Sequence, residues 1–242
     1  MANAKGRLAE AYTGPGTAKI TDLGFSYSKR GEITDTYEAT PTWANYYHTS
    51  ATYWDNGLME TLATNISGLP TWTYGPDGEG RVSSITASSG PNPLTSTTYN
   101  GFGVTGITFG SGDSDSFSYD SNTGRETQYK FTVNGANETG TLTWNANGTL
   151  QKLAISDPFI AAKTQTCTNT YDDLMRLIAN NCGSVWSQTF GFDAFGNITK
   201  TGTTSFQPTY NPATNRYNTL PTGTLGYDLN GNLTSDSFHS YG

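Results

Sequence analysis

The chain alternates short apolar and polar stretches instead of carrying long amphipathic runs. In residues 116–119, 129–133 and 188–192, a ring or a β-branched side chain stands at every second position, which is typical of strands with one buried face. An apolar period of 3.6 residues is scarce, and the most helix-compatible stretch, residues 153–163, is interrupted by Pro158. The pattern therefore predicts an all-β chain of short strands.

A motif repeats along this alternation: an aromatic residue, often followed by Asp or Asn, then a glycine, then an aliphatic residue. The clearest copy runs from Tyr227 and Asp228 through Gly231 to Leu233. Successive copies begin 17 to 27 residues apart, a step that fits two short strands and two turns. Such repetition predicts one continuous array of antiparallel β-hairpins. The first aromatics of the ten copies are Tyr27, Tyr53, Tyr74, Tyr99, Tyr119, Trp144, Tyr171, Phe192, Tyr210 and Tyr227.

Each copy has the chemistry of a tight hairpin turn. Asp or Asn can hydrogen-bond its own backbone two residues on, and a glycine three residues later accepts the left-handed conformation that closes the turn with a bulge. The aromatic then faces the residue six positions later, and each such pair stabilises the sheet by about 0.2–1 kcal/mol. Asp172 similarly faces Arg176 as a solvated ion pair. The predicted pairs are Tyr27 with Ile33, Tyr53 with Met59, Trp144 with Leu150, Tyr171 with Leu177, Phe192 with Ile198 and Tyr227 with Leu233.

The copies are not identical. The Tyr74 copy is two residues longer, the Tyr99 copy has Thr105 where an aliphatic is expected, and the Tyr210 copy has no glycine. Unrelated hairpins with similar turns are the alternative, which is disfavoured because the aromatic, the glycine and the aliphatic recur together. The residues expected to carry the repeat are Tyr119, Asp120, Gly124, Trp144, Gly148, Tyr171, Asp172, Arg176, Phe192, Asp193, Gly196, Tyr227, Asp228 and Gly231.

The composition favours a thin sheet over a dense globule. Of the 242 residues, 34% are hydrophobic and 14% are charged, both below the usual globular mix, whereas aromatics reach 13%. Most of the rings belong to tyrosine, which buries its ring and keeps its hydroxyl near water or a partner. No compositional break divides the chain, so we predict a single domain over residues 1–242.

Charge and motifs exclude several function classes. The formal net charge is −7 and no basic stripe is present, which argues against a nucleic-acid partner. No apolar run approaches the roughly 20 residues of a membrane-spanning helix. The glycine-rich segments lack the lysine and the following helix of a phosphate-binding loop, so no cofactor is predicted.

Two cysteines, Cys167 and Cys182, flank the hairpin that begins at Tyr171. An ideal register places Cys167 opposite Asn181, so the two cysteine side chains point to opposite faces unless a bulge intervenes. The sequence therefore leaves a disulfide between them open. No metal site is predicted, because zinc needs about four ligands and the two histidines lie far away in the sequence.

The copies at residues 171–177, 192–198 and 227–233 resemble the YD-repeat, or RHS-repeat, proteins, whose signature is Tyr-Asp, a short turn, Gly with Asn or Arg, and an aliphatic residue. The resemblance covers nearly the whole chain. It implies a spiral of antiparallel hairpins that forms part of a curved, hollow β-shell. In bacteria such shells are secreted or displayed on the cell surface, and they commonly enclose a toxic C-terminal domain.

The resemblance also implies the partners. They are a polypeptide cargo or neighbouring repeats of the same array, and glycan binding has been attributed to such repeats as well. Nothing after Tyr227 resembles the core segment that follows the repeats in the toxins, so we interpret the chain as a wall fragment of a longer, extracellular array. A fragment of a spiral sheet exposes edge strands, and we expect either self-association or coverage of the edges by the terminal segments.

A carbohydrate-binding or carbohydrate-hydrolysing domain is the alternative function. Aromatic faces stack on sugar rings, although such rings more often line a wall. No histidine lies beside a nucleophile motif, and no carboxylate pair can be assigned from sequence, so the catalytic residues stay unknown and an enzyme, if present, is a glycoside hydrolase. The candidate ligand-binding residues are Trp43, Tyr46, Tyr47, His48, Trp54 and Trp72.

Overall fold

The computed structural model describes residues 1–42, 45–221 and 223–241. Within these ranges the regular structure is twenty-two β-strands and one 3-10 turn, Ala161–Lys163, in the stretch that is most helix-compatible by sequence. The predicted all-β class is confirmed. Strands β1 to β17 belong to one antiparallel sheet, and the last five strands form two small sheets.

Most strands are five to seven residues long, as expected for a repeat of about twenty residues that holds two strands. The strands are β1 Glu10–Thr13, β2 Thr21–Tyr27, β3 Ile33–Ala39, β4 Tyr47–Tyr53, β5 Met59–Thr64, β6 Trp72–Pro76, β7 Val82–Ala87, β8 Leu94–Tyr99, β9 Val104–Phe109, β10 Ser114–Tyr119, β11 Glu126–Val133, β12 Ala136–Trp144, β13 Leu150–Ser156, β14 Gln165–Tyr171, β15 Leu177–Asn181, β16 Ser187–Phe192, β17 Ile198–Gly202, β18 Thr209–Tyr210, β19 Tyr217–Leu220, β20 Gly223–Thr224, β21 Gly226–Tyr227 and β22 Leu233–Ser235.

The chain divides into two compact units. Unit 1 comprises residues 1–125 and 131–135, and unit 2 comprises residues 126–130 and 136–242. In unit 1, each strand from β1 to β10 pairs antiparallel with the next in the sequence. In unit 2, strands β12 to β17 pair in the same way, followed by the small sheets of β18–β20 and β21–β22. The single domain over residues 1–242 stays a prediction.

The predicted hairpin register is confirmed at all six aromatic–aliphatic pairs. Tyr27 lies opposite Ile33, and the pairs that begin at Tyr53, Trp144, Tyr171, Phe192 and Tyr227 have the same six-residue spacing. In five of these copies a one-residue register shift directly precedes the aromatic. The turn chemistry of the repeat therefore fixes which residues face each other across each hairpin.

Two departing copies have a different register from the predicted one. Tyr99 lies opposite Val104, not Thr105, because its turn is one residue shorter. In the long copy, Pro76 lies opposite Val82, so Pro76 and not Tyr74 holds the aromatic position. Gly80, with φ of +82°, closes that turn. The two extra residues of this copy therefore lie in the strand and leave the turn at its usual length.

The sheet carries almost no dry core in the described ranges. The buried residues there are Cys167, Cys182, Gly24, Gly140 and Pro208, together with the polar Asp22, Ser26 and Gln188. Most ring-bearing and aliphatic side chains of the strands are half-buried. Stability therefore depends on cross-strand pairs and hydrogen bonds within the sheet more than on a packed interior.

The structure joins Cys167 and Cys182 in a disulfide. The predicted opposition of Cys167 and Asn181 is wrong, because Asn181 lies opposite Thr168 and a register shift falls between Thr170 and Tyr171. This bulge adds the residue that the ideal register lacked, and it places the two cysteine Cα atoms 4.0 Å apart.

Candidate functional site

The repeat aromatics hold equivalent places in the fold. Nine of the ten predicted first aromatics are the last residue of their strand, and the exception is Tyr74, which lies in the middle of β6. The residue after the aromatic opens the turn, and the glycine N–H closes it: Gly124 donates to the carbonyl of Asp120, Gly196 to Asp193 and Gly231 to Asp228. Gly148 donates to Asn145 in the same way. In these copies, the place of a residue in the repeat motif therefore fixes whether it ends the strand, opens the turn or closes it.

The turn aspartates are held by several N–H donors. Oδ1 of Asp193 accepts from the backbone N–H of Phe195 (2.8 Å) and of Asn197 (2.9 Å), and its Oδ2 accepts from the Asn197 amide (2.7 Å). Asp228 has the same arrangement with Asn232. The side-chain hydrogen bond from the asparagine is the largest cause that lowers the pKa of each carboxyl below its ordinary value. These carboxylates stay ionised and serve as turn caps.

In other copies an arginine, instead of an asparagine, lies four residues after the turn aspartate. Its longer side chain contacts the aspartate and also a residue of the next copy. Nε of Arg176 donates to Oδ2 of Asp172 at 2.7 Å, which confirms the predicted ion pair, and Arg81 pairs with Asp77 at the same distance. The guanidinium of Arg176 also lies 4.4 Å from the ring centre of Phe192, the first aromatic of the next copy. One side chain therefore links the turn of its own copy to the ring of the following one.

Among the described residues, an arginine stacks at four places on the first aromatic of the repeat that follows it along the chain. This stacking joins Arg7 to Tyr27 (5.3 Å), Arg81 to Tyr99 (4.2 Å), Arg176 to Phe192 (4.4 Å) and Arg216 to Tyr227 (5.5 Å). Our sequence reasoning assigned Arg176 only to its own turn and missed this contact. The signal was available for three of them, because Arg81, Arg176 and Arg216 each directly precede the first residue of a strand.

The tips of the aromatics make a second link between neighbouring copies. The hydroxyl of Tyr53 donates to the carbonyl of Ile33, the residue paired with the first aromatic of the preceding copy. Tyr171 donates in the same way to Leu150, the partner of Trp144. Among the described residues the tip bonds are Tyr27 to Leu8 (2.7 Å), Tyr53 to Ile33 (2.6 Å), Tyr99 to Val82 (2.6 Å), Tyr119 to Val104 (2.8 Å), Trp144 to Glu126 (2.6 Å), Tyr171 to Leu150 (2.8 Å) and Tyr210 to Ile198 (3.4 Å).

These bonds form what we call the tip ladder: the seven hydrogen bonds from the polar tip of a first aromatic to a backbone carbonyl of the preceding copy. Six of the seven carbonyls belong to the first residue of a strand, and the seventh, that of Leu8, lies two residues before β1. A net hydrogen bond of this kind contributes about 0.5–1.5 kcal/mol. The tip ladder explains why tyrosine, rather than phenylalanine, predominates at the first position, because only a polar tip satisfies the carbonyl.

The described members of the predicted ligand-binding set each contact different neighbours. Trp43 lies outside the described residues. Tyr46 and His48 belong to the region around β4, where His48 stacks on Tyr37 with ring centres 4.3 Å apart and its Nε2 lies 2.9 Å from Oδ1 of Asp35. Tyr47 lies opposite Glu38 on β3, next to the pair of His48 with Tyr37.

The other two tryptophans of the predicted ligand-binding set, Trp54 and Trp72, also belong to unit 1. Trp54 follows β4 and donates its indole N–H to the carbonyl of Tyr74 at 3.0 Å. Trp72 on β6 lines a shallow cavity of about 320 Å³ together with Tyr74, Ile85 and other apolar residues. Each of these rings has a structural neighbour that accounts for its position, and carbohydrate binding by them stays a prediction.

The Tyr46 cavity, a space of about 240 Å³ in unit 1, is lined by Met1, Glu10, Asp22, Gly24, Tyr37 and Tyr46. The ammonium group of Lys19 bridges Glu10 and Asp22, at 2.9 Å from Oδ2 of Asp22, and the Tyr46 hydroxyl donates to the same oxygen at 2.6 Å. The hydrogen bond from Tyr46, followed by that from Lys19, lowers the pKa of Asp22 below its ordinary value. Contact with Glu10 and then Asp22 raises the pKa of Lys19. Lys19 and Asp22 are therefore both charged at neutral pH.

The described residues hold no evident catalytic or metal centre. His48 is hydrogen-bonded to Asp35, but no nucleophile is bonded to that histidine in the part of the chain that is described. No group of three or more His, Cys, Asp or Glu side chains that could hold a metal ion occurs among the described residues. A helix long and apolar enough to cross a membrane is likewise missing from the described ranges. The catalytic residues stay unassigned.

Comparison with known proteins gives matches in structure alone. No family model matches the chain, and no curated protein matches it in sequence. The TcdB2–TccC3–Cdc42 crystal structure matches with a TM-score of 0.71 and 14% identity over 93% of this chain. The TcdB2–TccC3 structure and its form without the hypervariable C-terminal region give TM-scores of 0.70 and 0.69, at 14% and 15% identity, each over 93% of this chain.

The chain spans 16%, 16% and 15% of the length of those three matched chains. At identities this low the likeness concerns the fold. The long antiparallel sheet of this protein matches the β-shell of the TcdB2–TccC3 structures.

Proposed function

We propose that this chain is a wall segment of a YD-repeat shell that encloses a polypeptide cargo. The observation that carries the proposal is the tip ladder together with the arginine contacts, because both join neighbouring repeats to each other. Such links make a continuous sheet from hairpins that have almost no dry core of their own. A wall, rather than a solid globule, is the structure that these contacts favour.

The fold comparison supports the same role. The sheet matches the β-shell of the TcdB2–TccC3 structures over 93% of this chain, and the repeat motif resembles that of the YD-repeat proteins. Because the chain spans 16% of the first matched chain, several such segments are needed for an enclosure. The enclosed material in this proposal is a polypeptide, kept from contact with the surroundings until it is released.

An extracellular or cell-surface location belongs to this proposal. The disulfide between Cys167 and Cys182 supports it, because structural disulfides persist mainly in oxidising compartments. Fractionation of the source cells, followed by blotting, tests the location. Detection in the culture medium or on the cell surface supports export, and strict confinement to the reducing cytoplasm, with free thiols at both cysteines, contradicts it.

Electron microscopy of the protein at its native length tests enclosure. The expected result is a hollow particle whose wall is one sheet thick and whose interior contains additional density. Limited proteolysis should then cut the wall at exposed turns while the interior polypeptide resists until the wall is opened with denaturant. A solid particle, or an interior polypeptide cut as fast as the turns, contradicts the proposal.

A further inference from the structure

Five asparagines of this chain are followed directly by glycine. In such a pair the backbone nitrogen of the glycine can attack the asparagine side chain, because glycine has no side chain that obstructs the approach. The attack needs rotation of the side chain and of the backbone between the two residues, so hydrogen bonds that hold either group slow it. The five asparagines are Asn56, Asn100, Asn134, Asn147 and Asn230.

Four of these pairs are held by the turns in which they lie. At Asn56 and Asn147, the glycine N–H donates to a carbonyl of the turn at 2.9 Å, and the asparagine Oδ1 accepts from the backbone N–H two residues on. Oδ1 of Asn100 accepts from two backbone N–H groups. The glycine after Asn230 donates its N–H to the residue that opens the turn, at 3.1 Å. Each of these pairs must break at least one hydrogen bond before it reacts.

Asn134 and Gly135 lie in a different kind of turn. They are the two residues between β11 and β12, and their φ values of +49° and +79° are both positive, as a type I′ turn requires. A turn of this type is closed by the N–H of the residue after the two central ones, so it does not use the glycine N–H. Both residues are exposed. Among the described residues, neither the Asn134 side chain nor the Gly135 N–H has a hydrogen-bond partner.

We propose that Asn134 is a site of spontaneous deamidation in the folded protein. The nitrogen of Gly135 bonds to Cγ of Asn134, and the bond from Cγ to the amide nitrogen breaks. That nitrogen leaves as ammonia, with the proton of the Gly135 N–H, and a cyclic succinimide remains. Water then opens the ring: addition at Cγ gives aspartate, and addition at the backbone carbonyl gives isoaspartate, in which the chain continues through the former side chain. Either product has a carboxylate in place of the neutral amide.

The modification acts on a contact within unit 1. The backbone N–H of Asn134 donates to Oδ1 of Asp113 at 2.9 Å, and Asp113 lies in the turn between β9 and β10. A carboxylate at position 134 places a second negative charge beside this one, and like charges repel. Isoaspartate also adds a methylene group to the backbone of the turn. Both changes weaken the hydrogen bond to Asp113, so deamidation loosens one turn from the other.

One tryptic peptide contains both the proposed site and an internal control. Residues 131–152 lie between two cleavage sites and include Asn134 and Asn147. The folded protein is incubated at mildly alkaline pH, and the two sites are quantified over time from fragment ions in mass spectrometry, with a zero-time sample to correct for the digestion. Breaking one net hydrogen bond slows a reaction by a factor of about 2–10. Because both groups of the Asn147 pair are bonded, Asn134 should deamidate at least about fivefold faster.

A synthetic peptide of residues 131–152 separates the effect of sequence from that of structure. It contains both Asn-Gly pairs without the turns, so the two sites should react at similar rates. In the full chain, Thr149→Val removes the hydroxyl that donates to Asn147 at 2.8 Å. This change should speed deamidation at Asn147 by a factor of about 2–10 and leave the rate at Asn134 unchanged.

Hydrogen exchange tests the consequence of the modification. Asn134→Asp has the charge of one product, and exchange of its own backbone amide should be faster than in the unmodified protein because the bond to Asp113 is weakened. Asn147→Asp, the matched control, should leave exchange at residue 134 unchanged. The proposal is overturned if Asn134 and Asn147 react at equal rates in the folded protein, or if the ratio of their rates is the same in the protein and the peptide. Unchanged exchange in Asn134→Asp overturns the predicted loss of the Asp113 contact.

Discussion

Phe192 is a first aromatic at which one added oxygen atom can supply a tip hydrogen bond. It is paired with Ile198 as the other first aromatics are paired with their aliphatics, but it has no polar tip. In the preceding copy, the Tyr171 hydroxyl donates to the carbonyl of Leu150. The corresponding acceptor for a tyrosine at position 192 is the carbonyl of Leu177, which lies opposite Tyr171. Phe192→Tyr therefore supplies the missing donor.

The size of the effect follows from the other copies. Arg176 lies 4.4 Å above the ring of Phe192, and the comparable Arg81 lies 4.2 Å above Tyr99, whose hydroxyl still donates to a carbonyl at 2.6 Å. The arginine and the hydroxyl are therefore compatible on one ring. One net hydrogen bond should raise the free energy of unfolding by about 0.5–1.5 kcal/mol. For a chain of this length that corresponds to a rise in Tm of about 1–6 °C.

Urea unfolding followed by circular dichroism measures this difference. The midpoint should rise while the slope stays constant, since no additional surface is buried. Phe195→Tyr is the matched control, because Phe195 is 73% exposed in the adjoining turn and its added hydroxyl meets water. If Phe192→Tyr is no more stable than Phe195→Tyr, the tip ladder does not contribute to stability as argued.

Three further predictions concern the turns and the disulfide. Met175 holds a position where other copies have glycine, and its φ is +61°. Because this left-handed conformation is unfavourable for a residue with a side chain, Met175→Gly should raise the free energy of unfolding by about 1 kcal/mol in urea titration. A loss of stability would contradict the assigned strain. The cysteines of the Cys167–Cys182 disulfide are 15 residues apart, so its reduction should lower the free energy of unfolding by about 3 kcal/mol. The control is a double Cys→Ser variant, whose stability should not change when reductant is added. The folded-state pKa of Asp228 is lowered, chiefly by Asn232, so its contribution is present above the unfolded-state pKa and is lost as pH falls through the acid range. Acid titration of Asp228→Asn should show a flatter decline of stability than that of the unmodified protein, and equal slopes would refute this assignment.

The hairpins could be predicted because their determinants are local. The distance from aromatic to glycine fixes the turn, and the turn fixes the cross-strand partner, as at Tyr27 and Tyr227. The same logic failed at Tyr74 because proline occupies the aromatic position of that copy, although Asp77 and Gly80 keep the usual turn spacing. It failed at Cys167 because a bulge adds one residue that leaves no mark in the composition of the strand.

The contacts between copies were harder to predict. The acceptor of each tip hydrogen bond is a backbone carbonyl, which every residue has, so no side-chain pattern reveals it. The Tyr46 cavity depends on Glu10 and Asp22 meeting across two strands that are joined by a turn. In the sequence, nothing distinguishes these two acidic residues from exposed ones. Only the fold shows that Asp22 is buried.

Coverage of the sheet edge illustrates a prediction that the structure answers only in part. The backbone of Lys200 on β17 exchanges two hydrogen bonds with Phe206, and Gln207 adds a side-chain bond to the same residue. The chain that follows β17 thus covers part of its outer edge. Self-association through other edges stays a prediction, and size-exclusion chromatography over a range of concentrations tests it: a strict monomer at every concentration would contradict it.

The most direct test of the account compares two sets of three Tyr→Phe substitutions within unit 1. The first set removes hydroxyls of the tip ladder at Tyr27, Tyr53 and Tyr99. The second set removes hydroxyls that serve no tip bond, at Tyr12, Tyr37 and Tyr74. Every ring is kept in both. Urea unfolding should show a loss of about 1.5–4.5 kcal/mol for the first set and within about 0.5 kcal/mol of no change for the second. Equal losses in the two sets would contradict the claim that aromatic tips fasten each repeat to the one before it.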